Sequence, residues 1–218
     1  MSKAAFDLVI VGVGGQGTLL ASKILGRLAL SENCGVKVSE VHGMSQRGGS
    51  VITHVRVGDS VHSPMVALGG ADYLISFEAL EAARAACYLK PGGTVIVNTQ
   101  RILPMPVITG ATAYPDDPLA SLAPYRVENA DALGIAVECG SQKALNLVLL
   151  GMFSRHLPFE EEAWRDAIAA CVPPRTLEVN LAAFEPGRAL MGWYTTAVQA
   201  REHPWRWSTG IPPWKPCR

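Results

Sequence analysis

No two cysteines in this sequence form a C-x-x-C pair. Cys34, Cys87, Cys139, Cys171 and Cys217 lie far apart. Zinc-ribbon and ferredoxin-type cluster signatures are therefore missing, and the spacing suits reduced thiols packed in core or helix positions better than a disulfide framework. Net charge is missing as well: 19 Lys and Arg balance 19 Asp and Glu. That excludes the global basic bias of nucleic-acid binders and a polybasic membrane patch. No run of about 20 uncharged apolar residues exists to span a bilayer. The early run Phe6-Asp7-Leu8-Val9-Ile10-Val11 is too short for the apolar region of a signal peptide followed by a cleavage site. These absences predict a cytoplasmic protein that binds neither nucleic acid nor membrane.

Several catalytic signatures are also lacking. There is no P-loop, no H-E-x-x-H, and no Gly-Asp-Gly followed by a paired Asn for thiamine diphosphate and magnesium. His42, Ser45 and a nearby acid have no strand–G-x-S-x-G–helix elbow, so hydrolysis is set aside. His42, His54 and His62 share no ligand pattern, and no metal site is expected. His156 and His203 read as surface residues. A neutral chain is often poorly soluble in isolation, which raises the expectation of a permanent partner.

What is present is ample material for a core. Of 218 residues, 49% are hydrophobic and 17% charged, which argues against wholesale disorder. The length favours one decorated domain, expected over residues 1–200. The apolar run 8–13 ends in glycines and reads as a buried strand. Leu19, Leu20, Ile24, Leu25 and Leu28 have helical spacing over 18–29, and 36–41 is a second strand, giving a βαβ unit. No crossover helix fits between Val41 and Val51, where period-two alternation marks the next strand, so the sheet is predicted to be mixed. Ser60 to Ser63 reads as an antiparallel return.

Further along, 72–77 and 94–97 read as strands. Between them lies a helix over 78–89, broken by Lys90-Pro91-Gly92-Gly93. Residues 104–124 read as irregular connections with a short helix. Helices are predicted over 131–139, 142–155, 160–171 and 176–199, the last weakened by Gly187 and Gly192. Residues 201–218 form a tail with Trp205, Trp207 and Trp214 among four prolines, which folds back on its own subunit or docks on a partner.

Two constellations carry chemistry. Gly12-Val13-Gly14-Gly15-Gln16-Gly17 satisfies G-x-G-x-x-G between a strand and a helix. Its glycines permit a sharp turn, and a helix N-terminus aims N–H groups at a phosphate or carboxylate. Glu40 ends the second strand, where a dinucleotide-binding protein holds a ribose hydroxyl. The plainer reading is a tight turn with no nucleotide. The second constellation, Glu40-Val41-His42-Gly43-Met44-Ser45-Gln46-Arg47-Gly48-Gly49-Ser50, leaves a strand expected beside the first, so the two glycine loops should face each other. Arg47 offers a bidentate fork for carboxylate or phosphate, and Ser45 and Gln46 offer hydrogen bonds. Its plainer reading is a structural loop with Arg47 paired to Glu40 or a helix end.

Taken in order, these two loops resemble the gamma-type subunit of 2-oxoacid:ferredoxin oxidoreductases. Leu89-Lys90-Pro91-Gly92-Gly93, Asn146-Leu147-Val148-Leu149-Leu150-Gly151 and Glu178-Val179-Asn180-Leu181-Ala182-Ala183-Phe184 fit the same family. The likeness is nearest to the branch acting on arylpyruvates such as indolepyruvate. Related complexes act on pyruvate, branched-chain oxoacids, 2-oxoglutarate or phenylglyoxylate. The resemblance implies an α/β three-layer sandwich with a mixed sheet and a Rossmann-like first βαβ unit. It also implies a complex whose large (alpha) subunit carries thiamine diphosphate, magnesium and 4Fe-4S clusters. That complex converts the 2-oxoacid to acyl-CoA and reduces ferredoxin. This chain would carry none of those groups itself, and it would be inactive alone. Gly12, Gly14, Gly15, Gln16 and Gly17 would supply backbone donors to coenzyme A phosphates. Ser45, Gln46 and Arg47 would complete the pocket or fix the subunit interface. Two other readings stand beside this one: a self-sufficient dinucleotide-binding enzyme or redox sensor with Glu40 on the ribose, and a purely structural interaction module.

Overall fold

The computed structural model of the chain describes residues 4–42 and 49–190. Six strands form one sheet in the order β2-β3-β1-β4-β5-β6. They are β1 Phe6–Val13, β2 Gly35–His42, β3 Ser50–Gly58, β4 Ala71–Ser76, β5 Leu89–Asn98 and β6 Arg126–Ala130. β1, β4, β5 and β6 run parallel, and β3 is antiparallel to both its neighbours. The sheet is mixed, as the missing crossover helix required.

Strand adjacency differs from the sequence expectation. β2 does not lie beside β1. The chain leaves β1 through helix α1 (Thr18–Ser31), forms β2, and returns as β3 into the space between them. Residues 43–49 are thus the connection of a β2–β3 hairpin. Ser60 to Ser63 makes no strand. The segment that follows instead crosses the sheet face, where Val66 N–H donates to Nδ1 of the buried His54 at 3.4 Å.

One face of the sheet carries α1, α4 (Ala132–Glu138), α5 (Leu145–Ser154), α6 (Glu161–Cys171) and α7 (Leu177–Ala189). The other carries α2 (Ala79–Ala85) and a 3₁₀ turn at Pro118–Leu122. A further short helix, α3, spans Met105–Ile108. The result is a three-layer α/β sandwich. Alternation along β1 produces the layers directly: Leu8 and Ile10 face the large helical layer, Val9 and Val11 the small one. α5 is buried on every side, which its all-round apolar sequence demands. Gly187 has a packing role in α7: a Cβ there would stand 2.2 Å from the Val148 carbonyl oxygen, so glycine is what lets α5 and α7 touch.

Some boundaries shifted and one strand was added. α2 is shorter than 78–89 and ends in a 3₁₀ turn at Ala86–Tyr88. Lys90-Pro91-Gly92-Gly93 belongs to β5 as an irregularity in its pairing with β4. β6 was not expected at all. The helix predicted over 176–199 is α7 as far as Ala189, Leu190 has left the helix, and the rest of the prediction with the 201–218 tail lies outside the described residues. Among the described residues no helix is long and apolar enough to cross a membrane.

His156 is not a surface residue. Its Nε2 lies 2.9 Å from Oε1 of Glu128, whose side chain is 1% exposed on β6. Arg155 pairs with the other carboxylate oxygen and also donates to the Leu190 carbonyl. Burial works to raise the Glu128 pKa, but hydrogen bonding and charge from His156 and Arg155 outweigh it and hold the group below its ordinary range. A depressed carboxylate contributes stability above its unfolded pKa of about 4.3, and that stability is lost as pH falls through the folded value. Glu128→Gln should therefore lower unfolding free energy by roughly 3 kcal/mol at pH 7. The gap between variant and wild type should narrow below about pH 4; urea titrations at pH 7 and pH 3.5 check both parts.

Candidate functional site

In a doubly wound sheet, ligands bind at the C-terminal strand ends where successive connections diverge. Here that point lies between β1 and β4: α1 leads from β1 to one side on one face, and α2 leads from β4 to the other side on the opposite face. The first glycine loop sits at this divergence.

Its geometry sorts the candidate residues. The Gln16 side chain folds back over the loop: its Oε1 accepts from Val13 N–H at 2.7 Å. Its Nε2 crosses the divergence to donate to Phe77 O at 3.0 Å and to Gln100 Oε1 at 3.2 Å. Gly12 is glycine because of this fold. A Cβ there would meet Gln16 Oε1 and Phe77 Cβ, each at 3.0 Å. Gly14 N–H donates to Gly49 O at 2.9 Å. Those groups serve the chain itself. Gly15 is exposed at φ +103° with open space around it, and Gly17 is the N-cap of α1 at φ +94°. Both conformations favour glycine. No side chain caps α1, so its first-turn amides face the end of the loop.

The two glycine loops do meet, although not by the expected route. The Gly14–Gly49 hydrogen bond joins them, because Val13 pairs with Ser50 at the start of β3. The base of the second loop is pinned from the other face. Ser50 Oγ donates to Glu81 Oε2 at 2.5 Å, and Arg84 Nη1 donates to Glu81 Oε1 at 2.6 Å. Ser45, Gln46 and Arg47 lie outside the described residues. Glu40 stands across β3 from β1, roughly 10 Å away at two strand spacings, and Thr53 Oγ1 donates to it at 3.4 Å. A ribose held at the β1 loop is not served from there.

Sequence reading missed the polar residues that complete this edge. Asn98, fully buried at the end of β5, donates to Phe77 O at 3.0 Å and accepts from Ala132 N–H at 3.0 Å. Glu78, 1% exposed, caps α2 by accepting from Glu81 N–H at 2.8 Å. The Tyr114 hydroxyl donates to Glu78 at 2.6 Å; burial and this carboxylate push its pKa up. A signal existed for Asn98 and Gln100: polar residues directly after the apolar run of a parallel strand face the same edge as the glycine loop. Among the described residues no group of three or more His, Cys, Asp or Glu is placed to hold a metal ion. At the opposite edge a cleft of about 560 Å³ is lined by Arg56 and Lys90, but each is paired, with Asp7 at 2.8 Å and Asp72 at 2.7 Å.

Residues 7–190 match the family model described as pyruvate ferredoxin/flavodoxin oxidoreductase. The chain belongs to this family. It is 43% identical over 189 residues to the indolepyruvate oxidoreductase subunit IorB of Thermococcus kodakarensis, an alignment covering 84% of this chain and 94% of that protein. Among solved structures it is similar to the gamma subunit of a keto/oxoacid ferredoxin oxidoreductase from Geobacter sulfurreducens. The TM-score is 0.63 at 23% identity, with 84% of this chain and 95% of that one covered. A 2-oxoglutarate:ferredoxin oxidoreductase from Magnetococcus marinus, solved with 2-oxoglutarate, coenzyme A and succinyl-CoA, gives a TM-score of 0.67 at 16% identity. There the match covers 89% of this chain but 33% of that one. The same fold thus occurs inside a longer polypeptide.

Removing the Gln16 side chain leaves Val13 N–H without its partner and frees the contact to β4. Gln16→Ala should lower unfolding free energy by about 2 kcal/mol in urea titration. A loss under about 0.5 kcal/mol, the size of a surface substitution, would show that the bridge holds nothing together.

Proposed function

We propose that this chain is the small subunit of an indolepyruvate:ferredoxin oxidoreductase, a complex that oxidatively decarboxylates arylpyruvates to acyl-CoA and passes the electrons to ferredoxin. The observation that carries this reading is the 43% identity to an indolepyruvate oxidoreductase subunit over 94% of its length. Thiamine diphosphate, magnesium and 4Fe-4S clusters belong to the large subunit. The described residues offer no donor set for a metal, and no chemical step is assigned to them.

This chain's contribution is an edge for the acyl acceptor. Gly15, Gly17 and the uncapped first turn of α1 suit an anionic phosphate, and coenzyme A would bring such phosphates. Gly12, Gly14 and the Gln16 side chain hold that edge in shape rather than touching ligand. Ser45, Gln46 and Arg47 precede Gly49, whose carbonyl accepts from Gly14 N–H, and Ser50, which is tied to α2. Arg47 completes the anion site or the subunit contact. Residues 1–200 make up one α/β domain and 201–218 a Trp- and Pro-rich tail, and the complex works in the cytoplasm with ferredoxin. The dinucleotide alternative loses support because Glu40 is displaced by β3.

Two experiments test this. The complex, purified anaerobically from its native cells, should reduce a viologen dye in a coenzyme-A-dependent way. Indolepyruvate should be turned over at least tenfold more efficiently than pyruvate or 2-oxoglutarate. The reverse preference would overturn the substrate assignment, and a chain that carries no large subunit and binds a reduced nicotinamide tightly would overturn the family role. Arg47→Ala should reduce turnover of the assembled complex or its assembly about tenfold or more, with the thermal midpoint of the isolated chain unchanged. Unaltered activity in the assembled complex discards the role.

A further inference from the structure

Between Arg101 and Asp116 the chain carries no charged residue. It nevertheless leaves three large apolar side chains in solvent: Leu103 is 50% exposed, Met105 65% and Ile108 62%. A segment of this composition usually buries itself. This one is held out by its base. The Ile102 N–H at 3.0 Å and the Tyr114 hydroxyl at 2.6 Å donate to the same oxygen, Oε1 of the buried Glu78. One carboxylate closes both ends of the excursion. Arg101 lies over the Tyr114 ring at 5.7 Å and donates to Asp116 O at 2.8 Å, doubling the clasp.

Within the clasp the segment bonds to itself. Ile108 N–H donates to Pro104 O at 3.1 Å, Thr109 N–H to Met105 O at 2.9 Å, and Ala111 N–H to Pro106 O at 2.8 Å. Pro104 and Pro106 fix two backbone angles. The three side chains are therefore displayed on an ordered support, so little conformational entropy is lost when something covers them.

The geometry points to segment 102–114 as a preformed apolar finger that docks into the large, thiamine- and cluster-bearing subunit of the complex; this rests on the function proposed above. Area and position select that occupant. The three side chains expose on the order of 300 Å², the scale of the largest apolar patch on a typical monomer, which is often functional, yet a partner in a standard interface buries about 800 Å². The finger alone is too small to hold two copies of this chain together, so adjoining surface must join it. The surface that adjoins it is the glycine-loop edge. The finger begins two residues after Gln100, and Gln100 is bonded to Gln16 at 3.2 Å. A protein that covers the glycine loops comes up against the finger. The absence of charge sets the chemistry of the surface that receives it: an uncharged, apolar recess.

The test is reconstitution of the full chain with the large subunit, followed by size-exclusion chromatography and coenzyme-A-dependent dye reduction. Met105→Asp with Ile108→Asp should weaken assembly at least tenfold and leave the thermal melt of the isolated chain in place. Leu103→Asp alone should weaken it less, and serves if the double variant does not fold. Leu30→Asp, on an exposed leucine at the far end of α1, should assemble like wild type. Full assembly by the double variant overturns the finger while leaving the subunit reading intact. A wild-type chain that does not bind the large subunit overturns both. A wild-type homodimer made monomeric by the double substitution assigns the finger to self-association and overturns the docking.

Discussion

The glycine-loop edge of the sheet depends on one carboxamide. Gln16 has one acceptor and two donor hydrogens, and it uses them on Val13 N–H, Phe77 O and Gln100 Oε1. Those three partners belong to the glycine loop, the end of β4 and the segment leaving β5. Each neutral hydrogen bond contributes about 1 kcal/mol net. The larger consequence is geometric: the side chain spans the divergence between β1 and β4, the crevice where a doubly wound fold ordinarily admits its ligand. What remains open is the outer half of the loop at Gly15, next to Gly17, which packs against the Asn146 side chain, and the uncapped first turn of α1. The motif has kept its helix-terminal anion geometry while its crevice is bridged by its own side chain.

The second constraint is the return of β3 between β1 and β2. It makes residues 43–49 a hairpin connection instead of a crossover, and it brings that connection to the first glycine loop through Gly14 and Gly49. It also carries Glu40 one strand further from β1, which dismantles the ribose site that the motif alone suggests. Ser50, Glu81 and Arg84 then fasten the start of β3 to α2. Both glycine loops are consequently rooted in rigid elements on either side of the sheet.

How much of this was legible beforehand follows from which contacts are local. The apolar run of β1, the 3.6-residue spacing of α1 and the alternation of β3 depend on near neighbours, so element type was readable. The mixed sheet was readable from a distance too short for a crossover. Strand order was not, because β2 and β3 could pair on either side of β1 with the same local pattern. β6 was invisible for a related reason: Arg126-Val127-Glu128-Asn129-Ala130 has no apolar run, and its buried acid is tolerated only through Arg155, 27 residues later, and His156. Lys90-Pro91-Gly92-Gly93 has the composition of a turn, and only Gly92 at φ +74° within an irregular pairing shows how a strand absorbs it. The Gln16 bridge was equally hidden, since a motif fixes the spacing of glycines and says nothing of where an intervening side chain folds.

Glu78 shows how one buried charge can serve two surfaces. As the N-cap of α2 it satisfies an amide at a helix start, where a negative charge is favoured. Its other oxygen receives Ile102 and Tyr114, closing the base of the apolar finger. A carboxylate this deeply buried is tolerated only with several donors, and here they come from α2 and from both ends of the 102–114 segment. Moving any one of them would leave the charge undersatisfied. The helix start, the finger and the polar residues around Gln100 are therefore held in one relative position. The Ile102 and Tyr114 donors fix both ends of the 102–114 segment against α2, so the buried charge acts as a positional clamp. The placement of the glycine-loop edge is thus set by buried polar contacts between segments distant in sequence.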